Sequence, residues 1–110
     1  MKHNLSKLYF IIAICLLMAF GKKPLNEIAI HVAGNCEQCK IRIEKAAKLD
    51  GVKKASWSSE SQMLTVHYDS TLVSVEAIEK AIASVGHDTE NFIADSIVYK
   101  QLPYCCQYRP

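Results

Sequence analysis

The sequence predicts an α+β sandwich of the split β-α-β kind, with a four-stranded antiparallel sheet, both helices on one of its faces, and a short C-terminal helical tail. Three observations carry this expectation. Apolar residues alternate with period two around Ile28-Ala29-Ile30-His31-Val32, Ala55-Ser56-Trp57 and Leu64-Thr65-Val66-His67-Tyr68. They recur at helical spacing after Glu37 and again after Ser74. Glycines, Gly51 and Gly86, follow the two helical stretches as stop signals.

The chain starts with a segment of a different kind. Lys2 and Lys7 precede an uncharged apolar run from Leu8 to Phe20, which closes on Gly21 and Lys22-Lys23. Thirteen apolar residues are too few for a bilayer, which needs about 20. A basic start, a short apolar core and the small residues Ala19 and Gly21 predict a secretory signal over residues 1–21, cut after Gly21 or else after Ala19, with a retained anchor as the alternative. The protein is then expected to be exported, periplasmic or secreted, with no stable membrane insertion after cleavage. Residues 22–94 form the expected domain and 95–110 a tail with vicinal cysteines.

Removing residues 1–21 from 110 leaves 89, enough for one modest core. Lys2 and Lys7 leave with the signal, so 13 basic residues become 11 against 11 acidic ones. A near-neutral chain without a basic patch interleaved with aromatics argues against nucleic acid as a partner.

Leu25 to Val32 is the first strand, with Ile28, Ile30 and Val32 inward. The helix from about Glu37 to Leu49 lays Cys39, Ile43 and Ala46/Ala47 on one stripe. Val52 to Ser58 is a second strand, Ser58 to Gln62 a polar hairpin connection, and Met63 to Tyr68 a third strand. Ser74 is the N-cap of a second helix in which Val75, Ile78, Ile82 and Val85 line one face. His87 to about Ile93 is the expected fourth strand, and Asp95 caps a short helix that stops ahead of Pro103.

Cys36 and Cys39 sit where the first strand hands over to the first helix. Unpaired N–H groups and the partial positive charge of a helix start lower the pKa of nearby thiols. Cys36/Cys39 and Cys105/Cys106 are spaced too closely to crosslink much chain, so metal or redox duty explains at least the first pair better than structural disulfides. Two thiolates with little else favour soft, low-coordinate ions, Cu(I) first, with Hg(II), Ag(I) and Zn(II) as further candidates. Thiol-disulfide exchange is the alternative use of the same pair. Against it, the elements after the motif do not follow the thioredoxin order, and none of Pro24, Pro103 and Pro110 offers a cis-proline in the sheet.

Ile30-His31-Val32, Gly34-x-Cys36-x-x-Cys39, Ile43, Leu49-Asp50-Gly51-Val52, Leu64 to Asp69 and Ile82 to His87 together resemble the heavy-metal-associated domain, the ferredoxin-like βαββαβ module of copper chaperones, mercury-binding proteins and metal-pumping ATPases. The likeness runs from about Glu27 to Phe92. Where the family usually has Gly-Met-x-Cys, this chain has Gly34-Asn35-Cys36. The resemblance implies a metal carrier rather than an enzyme, with Cu(I) as cargo and a metal-transporting ATPase or another metal-handling protein as partner.

The candidate ligands are therefore Cys36 and Cys39, joined by His87, Cys105 and Cys106. His87 follows a turn expected at the same end of the sheet as the thiols, and serves either as a ligand or near neighbour of the metal or as a simple turn residue. His31 and His67 are expected on the outward face, solvated. The tail thiols are a second soft-metal site, a vicinal disulfide, or added ligands for the first site. A helix of seven residues climbs about 10 Å and two extended residues add about 7 Å, so the tail can just return to the Cys36/Cys39 end.

Overall fold

The computed structural model describes residues 2–18 and 24–110. The elements are α1 (Lys2–Met18), β1 (Asn26–His31), α2 (Glu37–Ala47), β2 (Val52–Trp57), β3 (Met63–Tyr68), α3 (Val75–Ser84), α4 (Ser96–Lys100) and a 3-10 turn at Tyr104–Cys106. No helix among the described residues is long and apolar enough to cross a membrane. Both expected cleavage positions lie outside the described residues.

The sheet is antiparallel and three-stranded, in the order β1-β3-β2. Ile28 pairs with Val66 and Ile30 with Leu64, while Ala55 and Trp57 meet the same two β3 residues from the other side. One face therefore gathers Ile30, Trp57, Leu64 and Val66, all buried, under Ile43 and Ala47 of α2 and Ile78 and Ile82 of α3. The opposite face carries His31, exposed, and His67, whose Nε2 lies 4.0 Å from Glu27 Oε1. Ser74 caps α3 as expected, its hydroxyl accepting from the Ala77 N–H at 3.1 Å.

The expected fourth strand does not form. Only an isolated antiparallel bridge, Val32 with Thr89, occupies its place beside β1. Polar side chains offer the backbone other partners there. Thr89 closes a turn on Phe92, its N–H donating to Phe92 O at 2.8 Å and its hydroxyl accepting from Phe92 N–H at 3.1 Å. Asn91 N–H is drawn to the buried Glu79 carboxylate at 3.2 Å, and Glu90 Oε1 accepts from His31 N–H at 3.0 Å. The segment curls away from β1 after a single pairing.

The tail then folds back onto the body. Arg109 makes a two-pronged ion pair with Asp88, at 2.7 and 3.2 Å, and its guanidinium lies 4.3 Å from the centre of the Tyr99 ring. The Tyr108 hydroxyl donates to Gly86 O at 2.8 Å and accepts from Asp88 N–H at 2.7 Å. Gly86 has φ +106°, and a Cβ there would stand 3.0 Å from the Leu102 side chain, so the turn needs glycine twice over.

Candidate metal centre

The loop between β1 and α2 is held by contacts to the sheet. The Trp57 indole N–H donates to Val32 O at 2.9 Å, and Gln62 Oε1 accepts from Gly34 N–H at 3.0 Å. A Cβ on Gly34 would meet the Trp57 ring at 3.0 Å and Cys39 Cβ at 3.1 Å, so glycine lets the loop lie flat on the indole. Trp57's own backbone is taken by α2, with Glu44 accepting from its N–H and Lys40 donating to its carbonyl, each at 2.9 Å. The loop and the start of α2 are thereby fixed to each other.

Cys36 stands at the N-cap of α2, in extended conformation, and its side chain does not cap the helix. Its thiol is 3.5 Å from Cys39 Sγ and 3.5 Å from Cys106 Sγ. The three sulfurs lie within 4.8 Å of one another. Cys39 and Cys106 are fully buried, Cys36 is half-buried, and Cys105 is exposed. Cys105 Sγ sits 3.9 Å from Cys106 Sγ and 3.4 Å from Gln38 Oε1. All four thiols are free.

These thiols differ in acidity. Burial opposes ionisation of Cys36, but the Cys39 backbone N–H and the thiols of Cys106, Cys39 and Cys105 outweigh it and bring the pKa down to about 7. Burial pushes Cys39 up to about 12, although the Asn35 N–H, 3.4 Å from its sulfur, works the other way. Burial also raises Cys106, against the Arg42 guanidinium, whose Nη1 is 3.2 Å from the sulfur. One thiolate near neutral pH beside two thiols is a starting point for a soft cation, which displaces the remaining protons as it binds.

His87 is fully buried and lies outside the three-sulfur group. Its Nδ1 is 2.8 Å from Ala33 O, and its ring stacks on Tyr108 at 5.5 Å between centroids. Burial lowers its pKa, which favours the neutral imidazole; Nδ1–H then donates to Ala33, and Nε2 is a buried acceptor with no hydrogen-bond partner among the described residues. In this arrangement His87 braces the loop between β1 and α2 against the tail. Sequence reasoning did not single out Arg42, Trp57, Tyr108 or Arg109 as parts of the site. Arg42 was within reach of it: three residues after Cys39, it shares that helix face.

The profile of the heavy-metal-associated domain matches residues 30–88, more than half of the chain. The chain belongs to the heavy-metal-associated domain family. It is 38% identical over 68 residues to the copper chaperone CopZ of Staphylococcus haemolyticus, covering 60% of this chain and 98% of the chaperone. It is 29% identical over 85 residues to the periplasmic component of the mercuric transport protein of Shigella flexneri, covering 76% of this chain and 93% of that protein. Among solved structures, the water-soluble region of the P-type ATPase CopA from Bacillus subtilis superposes with a TM-score of 0.58 at 31% identity, covering 62% of this chain and 46% of that one. As a family member the chain has a ferredoxin-like relationship to these structures, with its own sheet reduced to three strands.

Proposed function

We propose that this chain binds a soft metal ion, Cu(I) first, at Cys36 and Cys39, and carries or sequesters it outside the cytoplasm. The observation that carries the reading is the pair of sulfurs 3.5 Å apart at the start of α2, one of them on a thiol with pKa about 7. Two thiolates around Cu(I) leave a charge of −1, which the unpaired N–H groups of the helix start favour. An incoming thiolate from a partner can add to such a site before one of the first two leaves, so the ion changes hands without being free in solution. The chain is in this reading a carrier and not an enzyme. Similarity to a copper chaperone and to a mercuric transport component supports soft-ion binding, with Hg(II) as the second cargo.

A metal-transporting ATPase, or another metal-handling protein with thiol ligands, is the proposed partner, supported by the likeness to the soluble region of one P-type ATPase. Export is supported by Lys2, Lys7 and the apolar run that follows. The order of elements after the motif, a helix followed by two antiparallel strands, argues against thiol-disulfide exchange as the function. The test is anaerobic titration of the reduced protein with Cu(I) against a chromophoric chelator. One tightly held ion per chain, lost in the Cys36→Ser/Cys39→Ser double variant, is the expected result; equal binding by the double variant would refute the proposal.

A further inference from the structure

We infer that Cys106 is a third thiolate ligand, so that the C-terminal tail completes a three-sulfur Cu(I) site that the loop and helix alone leave open. The inference rests on the soft-metal reading and deepens it. A buried free cysteine is ordinarily a small apolar filler. Cys106 has other surroundings: its sulfur is 3.5 Å from Cys36 Sγ and 3.2 Å from the Arg42 guanidinium, and shares a 4.8 Å sphere with Cys39 Sγ.

The spacing of the sulfurs favours three ligands over two. With a metal-thiolate bond of about 2.3 Å, as for zinc, sulfurs stand about 4.0 Å apart in a trigonal plane and about 4.6 Å apart across a linear centre. Cys36–Cys39 and Cys36–Cys106, both at 3.5 Å, reach the trigonal arrangement with small side-chain adjustments. A linear centre would need about twice the shift of Cys36 from Cys39 that a trigonal plane needs, and would leave the third sulfur against the ion unused.

Charge is provided for as well. Three thiolates and Cu(I) sum to −2, and the Arg42 guanidinium and the N-terminus of α2 both face this cluster. The tail itself is fixed by contacts away from the thiols: Tyr108 to Gly86 and Asp88, and Arg109 to Asp88 and to Ala94 O at 2.7 Å. These place Cys106 before any ion arrives, which reduces the ordering that binding must impose. Cys105 is exposed on the adjacent position and outside the three-sulfur group, so its substitution tests which of the two tail thiols is the ligand.

The experiment is X-ray absorption and chelator competition on the reduced, Cu(I)-loaded full chain and on its Cys105→Ser and Cys106→Ser forms. Wild type and Cys105→Ser are expected to show three sulfurs per copper, and Cys106→Ser two, with affinity lower by about 10–100-fold or more. Two sulfurs in the wild type overturn the inference while leaving the two-cysteine site intact, as do unchanged sulfur number and affinity in Cys106→Ser. A wild type that binds no Cu(I) overturns the proposed function and this inference together. The sulfur numbers of the wild type and of Cys105→Ser together decide the matter even if Cys106→Ser does not fold.

Discussion

Removing one oxygen atom from Tyr108 separates the tail's attachment from everything else the ring does. Tyr108→Phe keeps the stack on His87 and the edge contact with Tyr99, at 5.5 and 5.1 Å between centroids, and deletes only the hydroxyl. That hydroxyl donates to Gly86 O at 2.8 Å and accepts from Asp88 N–H at 2.7 Å. At about 1 kcal/mol net per hydrogen bond, the loss is about 2 kcal/mol, and more if the orphaned groups stay dry. If the whole domain feels it, the midpoint of thermal unfolding falls by on the order of 10 °C. If the tail opens by itself, the same energy appears as access to Cys106, because about 1.4 kcal/mol is tenfold and about 2 kcal/mol is roughly thirtyfold in the open population. Alkylation of Cys106 in the reduced, metal-free protein, followed by mass spectrometry beside the melting curve, distinguishes the two outcomes. A Tyr108→Phe protein with both an unchanged midpoint and an unchanged Cys106 alkylation rate would refute the claim that this hydroxyl fastens the tail.

Cys36→Ser should weaken Cu(I) binding by orders of magnitude with little change in the metal-free urea midpoint, since Cys36 is only half-buried. Cys39→Ser should also lower that midpoint, through a loss of stability of about 1–3 kcal/mol, because it places a hydroxyl where the thiol is fully buried. Equal midpoints for the two would contradict the burial argument. The Asp88 carboxyl, though partly desolvated, is held below its ordinary value of 3.8 by Arg109 and the Ala94 N–H. Its folded pKa lies under its unfolded one, so its contribution is present in full above about pH 4 and disappears as pH falls through the folded value. Urea midpoints across pH 2–6 should therefore drop less steeply at the acid end in Asp88→Asn; an identical slope counts against the Asp88–Arg109 link. Gly86→Ala should lower stability by roughly 1–3 kcal/mol through its positive φ and its approach to Leu102, and a neutral result by melting would show that the turn can relax.

The first three strands, the helices after Cys36 and Ser74 and the placing of the first thiol pair were legible because each rests on a local signal. Period-two alternation put Ile30, Leu64 and Val66 on one face, helical spacing put Cys39 over Ile43, and Ser74 announced α3. The fourth strand failed for a reason that periodicity does not register. Side chains replace the ladder hydrogen bonds there: Thr89 accepts from Phe92 N–H, Glu90 from His31 N–H, and Glu79 of α3 from Asn91 N–H. The tail's return could be reckoned from reach alone, but not its anchors. Tyr108 meets Gly86 and Arg109 meets Asp88 across 22 and 21 residues of sequence, and neither pair belongs to a repeating pattern. A single helical turn from Ser96 to Lys100 is also shorter than the expected run to Leu102, because Gln101 and Leu102 bond back to Val98 and Tyr99 and close it.

The missing strand and the placed thiol are connected through the segment after Gly86. A fourth strand continued along β1 would have carried the chain straight on past Thr89; instead the turn at Thr89–Phe92 leads into Ala94, whose N–H returns to Asp88 Oδ1 at 2.7 Å. That turn sets the Asp88 carboxylate where Arg109 can reach both it and Ala94 O, so one guanidinium ties three parts of the chain together. Cys106 lies three residues before Arg109 and two before Tyr108, so these anchors hold its backbone beside Cys36. Opening the tail would break the Tyr108 and Arg109 contacts together, several hydrogen bonds at about 1 kcal/mol each. If Cys106 ligates the ion, release is tied to that opening, and a chain with this tail favours retention over rapid hand-off. A partner that receives the ion quickly would then have to displace the tail as well as supply thiols.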